Sequence, residues 1–164
     1  MRIIGIDPGS RYTGYGILEE KNGHIYCLGG GCITLAPSLS FAEKLGFIYK
    51  ELKKIMDDFA PHEMVVEEIF FARNVKSALK LAHVRGVILL LSVQAGIPLR
   101  EYSPLEVKQS VVGYGRATKE QVQQMVNRLL RFKDPLPYDQ TDALALAFCR
   151  IHRNPVLDAE FSRP

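Results

Sequence analysis

The chain opens with the stretch Arg2-Ile3-Ile4-Gly5-Ile6-Asp7-Pro8-Gly9, and the remaining sequence can be organised around it. Its isoleucines form a short β-branched run that ends on a carboxylate and breaks at Pro-Gly, which predicts a buried strand followed by a tight turn. A carboxylate at the tip of a buried strand is costly unless something pairs with it or binds it. Asp7 is therefore expected either to accept hydrogen bonds from its own turn or to belong to a metal or phosphate site.

The composition of the 164 residues is that of one folded domain, with 47% hydrophobic and 24% charged residues, and it excludes a disordered chain. A net charge of +3 permits nucleic acid as a partner without indicating it. The three cysteines lack C-x-x-C spacing, which is typical of reduced thiols in an intracellular protein. Asp7 interrupts the first apolar run before a secretory signal could form, and the apolar stretch 87–93 is too short to span a bilayer. We therefore expect a cytoplasmic protein with no membrane partner.

Hydrophobic periodicity predicts the order of the secondary-structure elements. Strands are predicted at residues 3–7, 13–18, 25–35 (with a bulge or bend at the glycines 29–31), 63–70 and 98–102. Helices are predicted at residues 38–59, 75–94, 103–112, 118–132 and 139–152. Short turns make the first three strands an antiparallel meander, and an intervening helix makes the fourth strand parallel to the first. The sequence thus predicts an α/β domain over residues 1–153, built on a mixed five-stranded sheet flanked by helices, with a flexible tail at 154–164.

Carboxylates from distant parts of the chain could meet at one end of this sheet. If the fourth strand lies beside the first, an acid at its end comes close to Asp7. Glu67 and Glu68 point to opposite faces, so only one of them can join Asp7, and alternation does not say which. Asp139 and Asp142 share one face of the last helix at i, i+3. Acids in a first helical turn also cap the helix or complement its dipole, which is the simpler interpretation of this pair.

Taken together, these carboxylates favour a metal site. Without a cation they would repel one another and raise each other's pKa. Oxygen ligands without a cluster of His or Cys suit Mg²⁺ or Mn²⁺ rather than zinc. Two such ions about 3.5–4 Å apart can activate a water and stabilise the leaving oxygen of a phosphodiester. The residues therefore predict metal-dependent phosphoryl transfer.

A set of motifs follows in order along the chain. They are Gly5-Ile6-Asp7-Pro8-Gly9-Ser10-Arg11-Tyr12-Thr13-Gly14-Tyr15-Gly16, Glu67-Glu68-Ile69-Phe70-Phe71-Ala72-Arg73-Asn74, Ser77-Ala78-Leu79-Lys80-Leu81, Arg85-Gly86-Val87, Val107-Lys108-Gln109-Ser110-Val111-Val112-Gly113-Tyr114-Gly115, Lys119-Glu120-Gln121-Val122-Gln123 and Asp139-Gln140-Thr141-Asp142-Ala143-Leu144-Ala145. An isolated Asp-x-Gly also opens sugar-kinase-like ATPases, but the ordered set spans most of the chain. It resembles the RuvC-type Holliday-junction resolvases, bacterial members of the ribonuclease H-like superfamily. The resemblance implies a ribonuclease H-like fold.

The resemblance also implies which residues act. It assigns catalysis and metal binding to four carboxylates: Asp7, Glu67, Asp139 and Asp142. It selects Glu67 over Glu68, and it implies catalytic, DNA-facing roles for Lys108 and Lys119, which would otherwise be taken for solvated helix residues. It implies Mg²⁺ as the cofactor, with two ions per site and Mn²⁺ as a substitute.

DNA contacts follow from the same resemblance. Phe70 matches an aromatic residue that could stack on an unpaired base, although it could equally be a core residue, and Phe71 lies beside it. Backbone contacts are expected from basic residues: Arg73, Lys76, Lys80, Arg85 and Arg116. A homodimer is implied, which suits a four-way junction because each subunit can cut one of two symmetry-related strands. The helix beginning near Val75 is the candidate interface, unless it is simply buried against the sheet, and RuvA and RuvB are the implied branch-migration partners.

The predicted function is a structure-selective endonuclease that resolves four-way DNA junctions in recombination and repair, leaving 5′-phosphate and 3′-hydroxyl ends. One alternative is a ribonuclease H-like enzyme that processes RNA. A second is a phosphotransferase of the actin and sugar-kinase type, for which 164 residues cannot supply the second lobe. A third is a catalytically silent junction-binding module. The four acids argue against that module, because binding polyanionic DNA gives no reason to place carboxylates at the contact surface.

Overall fold

The computed structural model describes residues 1–68 and 74–153. Within these residues the strands are β1 (Arg2–Asp7), β2 (Tyr12–Lys21), β3 (His24–Thr34), β4 (Glu63–Glu67) and β5 (Leu99–Tyr102). The helices are α1 (Phe41–Phe59), α2 (Val75–Ala95), α3 (Pro104–Val112), α4 (Lys119–Leu129) and α5 (Tyr138–His152). The predicted order and type of these elements are confirmed. Predictions for Phe70, Phe71, Arg73 and the tail 154–164 lie outside the described residues.

The strands form one mixed five-stranded sheet in the order β3-β2-β1-β4-β5. β2 pairs antiparallel with both β1 and β3, whereas β4 pairs parallel with both β1 and β5. A register shift lies where Ile17 pairs with Gly29 and Leu18 pairs with Cys27, so Leu28 is an extra residue on β3. This bulge lies beside the glycines that predicted it.

The sheet is covered by helices on both faces, and side-chain alternation along β1 divides two cores. Ile4 is fully buried in a core that also contains Leu52 of α1 and Ile88 of α2. Ile3 points the other way, into a core built with α3, α4 and α5. Because successive residues alternate, Asp7 lies on the α5 face of the sheet.

Helix α5 lies directly on β1 and β2 because glycines stand where the helix crosses the strands. A Cβ atom on Gly5 would lie 2.0 Å from the carbonyl oxygen of Ala143, and one on Gly14 would lie 2.0 Å from that of Asp139. No side chain fits at either distance, so only glycine permits this approach. The consequence is that the first turn of α5 reaches the tip of β1.

Helix α2 has one buried face and one exposed apolar face. Val84 and Ile88 are fully buried, whereas Leu79, Leu90 and Val93 are 55%, 52% and 77% exposed. By length and composition alone, this 21-residue helix could cross a membrane, since an 18-residue window within it has a mean hydropathy of 1.4, although core helices of soluble proteins satisfy the same criterion. The apolar stretch 87–93, which was expected to be too short to span a bilayer, is part of this helix.

Candidate metal and active site

The tips of β1 and β4 bring two predicted carboxylates together. Asp7 ends β1 and Glu67 ends the neighbouring parallel strand β4. Val65, two residues before Glu67, is buried in the same core as Ile3, so Glu67 lies on the α5 face with Asp7. Glu68 is exposed. The tertiary packing thus makes the choice that strand alternation alone left open.

Helix α5 contributes the other two acids from its first two turns. Pro137 precedes the helix and makes no side-chain capping bond, so neither acid is the capping residue. Asp142 Oδ2 lies 3.4 Å from the Lys119 ammonium in an ion pair. Asp139 Oδ2 lies 3.9 Å from the Cys32 sulfur, within reach of a weak hydrogen bond. Capping therefore does not explain Asp139 or Asp142, although Asp139, in the first turn, still complements the helix dipole.

These groups surround a cleft of about 210 Å³. Its polar lining comes from Asp7, Glu67, Asp142, Lys108 and Lys119, and its apolar wall from Pro104, Val107, Val122 and Leu146. Asp139 does not line this cleft but lies close enough to raise the pKa of both Asp7 and Asp142. The structure thus gathers three of the four predicted carboxylates and both predicted lysines in one place, with Asp139 at the edge.

Burial and mutual repulsion make the ionised state of these carboxyls unfavourable. Burial, followed by the charges of Asp142, Glu67 and Asp139, raises the pKa of Asp7 to about 7. The pKa of Glu67 is raised by burial and then by Asp142. Burial also raises the pKa of Asp142, and the nearby Lys119 ammonium works against that increase. A cation bound among these oxygens would remove this electrostatic conflict.

The donor chemistry of the site fits a hard divalent cation. Carboxylate oxygens are the ligands that Mg²⁺ and Mn²⁺ prefer. In residues 1–68 and 74–153, however, no three His, Cys, Asp or Glu side chains are arranged to hold a metal ion. Lys119 supplies the positive charge beside Asp142 in this arrangement. Mutual repulsion keeps carboxylates apart, and a bound cation would reduce that repulsion and allow them to come closer together.

The predicted basic residues divide into two groups. Lys108 of α3 is half-buried in the cleft, and the Lys119 side chain at the start of α4 is 70% exposed at its rim. Lys76 and Lys80 are exposed on α2, and Arg116 is exposed just before α4. The second group does not line the cleft and stays a prediction of contacts with the DNA backbone.

Arg85 differs from the sequence expectation of a phosphate contact. Its side chain is only 13% exposed and forms an ion pair with Glu101 of β5. Its Nη1 donates a hydrogen bond of 2.7 Å to the backbone carbonyl of Glu67. The inward position of Arg85 could have been predicted from the sequence, because Arg85 lies three residues before the apolar Ile88 and therefore on the same face of the helix.

The sequence matches a known protein family over most of its length. The family described as crossover junction endodeoxyribonuclease RuvC matches residues 3–150 of the chain. A crossover junction endodeoxyribonuclease RuvC from Finegoldia magna is 47% identical over 152 residues, covering 92% of this chain and 93% of that protein. The protein of the same name from Syntrophotalea carbinolica is 48% identical over 152 residues, covering 93% of this chain and 94% of its own.

Solved structures agree with the family match. T. thermophilus RuvC in complex with a Holliday junction substrate superimposes with a TM-score of 0.87 at 34% identity, covering 93% of both chains. The yeast mitochondrial Holliday junction resolvase Ydc2 shares the fold, with a TM-score of 0.64 at 13% identity over 92% of this chain and 78% of that one. The predicted ribonuclease H-like fold and the resemblance are thereby confirmed. The chain belongs to the RuvC family of crossover junction endodeoxyribonucleases.

Proposed function

We propose that this protein resolves four-way DNA junctions by hydrolysing one phosphodiester in each of two opposed strands, in homologous recombination and DNA repair. The products would carry 5′-phosphate and 3′-hydroxyl ends, and the enzyme would act in the cytoplasm. The observation that carries the proposal is the meeting of Asp7, Glu67 and Asp142 in one cleft with Lys108 and Lys119. Binding DNA alone gives no reason to place carboxylates and lysines from five separate elements in one cleft.

Nucleases of this family depend on a divalent metal. We propose Mg²⁺ as the ion, two per site, with Mn²⁺ as a substitute, held by Asp7, Glu67 and Asp142 and by Asp139 from the edge of the cleft. When bound, the metal supplies Lewis-acid stabilisation of the phosphodiester and a more acidic water. Burial of the carboxyls supports this assignment, because the pKa of each of Asp7, Glu67 and Asp142 is raised while no cation is present.

The two lysines supply positive charge in the same cleft as the acids. Lys119 pairs with Asp142 across 3.4 Å, and its exposed side chain is long enough to turn towards a phosphate at the rim. Lys108 lies deeper, and its charge lowers the pKa of Glu67 and Asp142. Both ammonium groups would neutralise the scissile phosphate and stabilise charge that develops on its oxygens.

A homodimer accounts for the exposed face of α2. Val75, Leu79, Leu90 and Val93 are more than half exposed, and they recur on one side of a helix whose other side is buried. A helix buried against the sheet and a helix at a dimer interface are compatible here, because the buried side of α2 packs on the core and its exposed side is available to a second copy. A two-fold dimer would present one cleft to each of two symmetry-related strands.

Contacts with the rest of the junction complete the proposal. Phe70 would stack on an unpaired base, and backbone phosphates would be bound by Arg73, Lys76, Lys80 and Arg116 together with the two cleft lysines. RuvA and RuvB are the proposed branch-migration partners. What supports these contacts is the motif resemblance and the exposure of Lys76, Lys80 and Arg116.

Cleavage of a labelled four-way DNA junction in Mg²⁺, beside the matching linear duplex and an RNA–DNA hybrid, tests the proposed function. Paired nicks on opposite strands of the junction are expected, and Asp7→Asn and Glu67→Gln should abolish them. Glu68→Gln is the matched control, because Glu68 is exposed and its loss should leave cleavage at the wild-type rate. A gel-shift assay in Ca²⁺ measures junction binding separately from cleavage.

Three results would contradict the proposal in different ways. Binding without cutting, with Mn²⁺ as well as Mg²⁺ and over several junction sequences, would make the protein a binding module. Cleavage of the hybrid instead of the junction would make it an RNA-processing nuclease. Wild-type cleavage by Asp7→Asn or Glu67→Gln would remove the metal-site assignment.

A further inference from the structure

We propose that Arg85 is a positioning residue that fixes the end of β4, and with it the Glu67 carboxylate, from the buried face of α2. The inference rests on the proposed role of Glu67 as a metal ligand. It replaces the expected contact between Arg85 and a DNA phosphate with an internal role in the same reaction.

The guanidinium of Arg85 joins three elements at one point. Nη1 donates to the Glu67 carbonyl at 2.7 Å, while Nη2 pairs with the Glu101 carboxylate on β5. The same peptide unit is also bound to β5 directly, because its N–H, that of Glu68, donates to the Tyr102 carbonyl at 2.8 Å. The peptide unit that follows the Glu67 side chain is therefore fixed by hydrogen bonds from both α2 and β5.

This fixation matters because Glu67 stands where β4 ends. The last residue of β4 is Glu67, and the helix that follows it in the chain, α2, begins after its capping residue Asn74. Arg85 thus ties the last residue of β4 to the helix that follows it, across 18 positions of sequence. A shift of about 1 Å in a group that orients a reaction can lower the rate about 100-fold.

Burial and charge both oppose the alternative role in DNA binding. The Arg85 side chain is 13% exposed, whereas the Lys119 side chain at the rim of the cleft is 70% exposed. To reach a phosphate, Arg85 would have to leave Glu101 and the Glu67 carbonyl. Glu101, at 41% exposure, is solvated enough to tolerate the loss of its partner, so substitution of Arg85 leaves no deeply buried lone charge.

The opposite face of the same helix is the proposed dimer interface, which links the two roles of α2. Leu79 and Leu90 are exposed on that face, while Arg85 and Ile88 face the sheet. Because a helix moves as a rigid unit, any displacement of α2 on subunit association would be passed to Glu67 through the Arg85 guanidinium.

The test compares Arg85→Met, Arg85→Lys and Glu101→Gln with Lys50→Met, which removes the same charge from an exposed position on α1. Mn²⁺ affinity is measured by electron paramagnetic resonance, and junction cleavage is measured as a function of metal concentration. Arg85→Met should lower kcat and Mn²⁺ affinity by about 10- to 100-fold, as the loss of a residue that orients a metal ligand does. Arg85→Lys should recover part of both losses, and Glu101→Gln should move both in the same direction by a smaller factor.

Junction binding in Ca²⁺ separates the two roles of Arg85. A positioning residue leaves the slope of log affinity against log salt unchanged, whereas a lost phosphate contact reduces its magnitude by about 0.9. A reduced slope with unchanged kcat for Arg85→Met would overturn the proposal. Wild-type Mn²⁺ affinity in every variant would do so too, because the contact would then serve stability alone.

Three outcomes are distinguished. If Arg85→Met fails to fold, Arg85→Lys and Glu101→Gln still carry the test, because each keeps part of the contact. If Glu67→Gln cleaves like the wild type, the metal-site assignment fails irrespective of Arg85. If Glu67→Gln is inactive while the Arg85 variants keep wild-type kcat and Mn²⁺ affinity, only the positioning role fails.

Discussion

Asp7→Asn is expected to stabilise the metal-free protein at pH 8 while abolishing cleavage. Burial and three neighbouring carboxylates raise the pKa of Asp7 from 3.8 to about 7, so its ionised form is disfavoured in the folded state. The neutral amide of asparagine has nearly the same shape and carries no charge to desolvate. The substitution therefore removes a cost that the folded protein bears whenever Asp7 is ionised without a bound cation.

The sign and size of this effect follow from proton linkage. Well below pH 3.8, its ordinary pKa, Asp7 is protonated in both the folded and the unfolded state and costs nothing. Between 3.8 and about 7 the folded state keeps a proton that the unfolded state releases, so the stability of the wild type falls as the pH rises. At about 1.4 kcal/mol for each factor of ten in proton affinity, the full penalty above pH 7 is at most about 4 kcal/mol. Relaxation of the neighbouring acids reduces this to an expected gain of about 1–3 kcal/mol for Asp7→Asn at pH 8.

Urea unfolding in EDTA at pH 5 and pH 8 measures this gain. The advantage of Asp7→Asn over the wild type should grow by about 1–2 kcal/mol between the two pH values. Asp57→Asn is the control, because it removes an exposed i, i+4 ion pair with Lys53 and should change stability by about 0.5 kcal/mol or less. Saturating Mg²⁺ should stabilise the wild type and not Asp7→Asn. An advantage that stays constant or shrinks from pH 5 to pH 8 would refute the electrostatic argument.

Three further substitutions test the arrangement around the cleft. Gly14→Ala should slow cleavage and destabilise the fold by about 1–3 kcal/mol, since its Cβ would lie 2.0 Å from the Asp139 carbonyl oxygen; unchanged stability would contradict the close approach of α5. Lys119→Met should lower kcat about 10²–10³-fold. It should also move the acidic limb of the pH–rate profile to higher pH, because Lys119 lowers the pKa of Asp142. An acidic limb that does not move would contradict the electrostatic coupling between Lys119 and Asp142. Leu90→Glu should convert a dimer to a monomer in analytical ultracentrifugation, and a persisting dimer would place the interface elsewhere.

The order of elements could be predicted because its signals are local. The β-branched run before Asp7 and the apolar spacing of α1 are properties of neighbouring residues, and both elements lie where these patterns predict them. Ser40, one of two serines that could cap α1, makes a capping box with Glu43. The parallel pairing of β4 with β1 also followed, since a helix between two strands leaves little other choice.

The site was predicted only in part. Motif resemblance named Glu67, but the residue pattern alone could not separate it from Glu68, because strand alternation gives opposite faces without saying which face is which. The expectation for Arg85 assumed an exposed side chain, and the exposure of a helical arginine depends on what packs against the helix. The proposed roles of Phe70 and Arg73 lie outside the described residues and stay predictions.

By itself the sequence determined the elements, their order and the kinds of chemical group available, because propensity and periodicity act over a few residues. Only the tertiary structure decided which of those groups meet. The glycines at 5 and 14 let α5 lie against the strands, and this approach brings its acids beside Asp7. Packing of α2 on the sheet turned Arg85 towards Glu67. Tertiary folding sets the distances between side chains that are far apart in sequence. It also causes the pKa shifts, because they depend on burial.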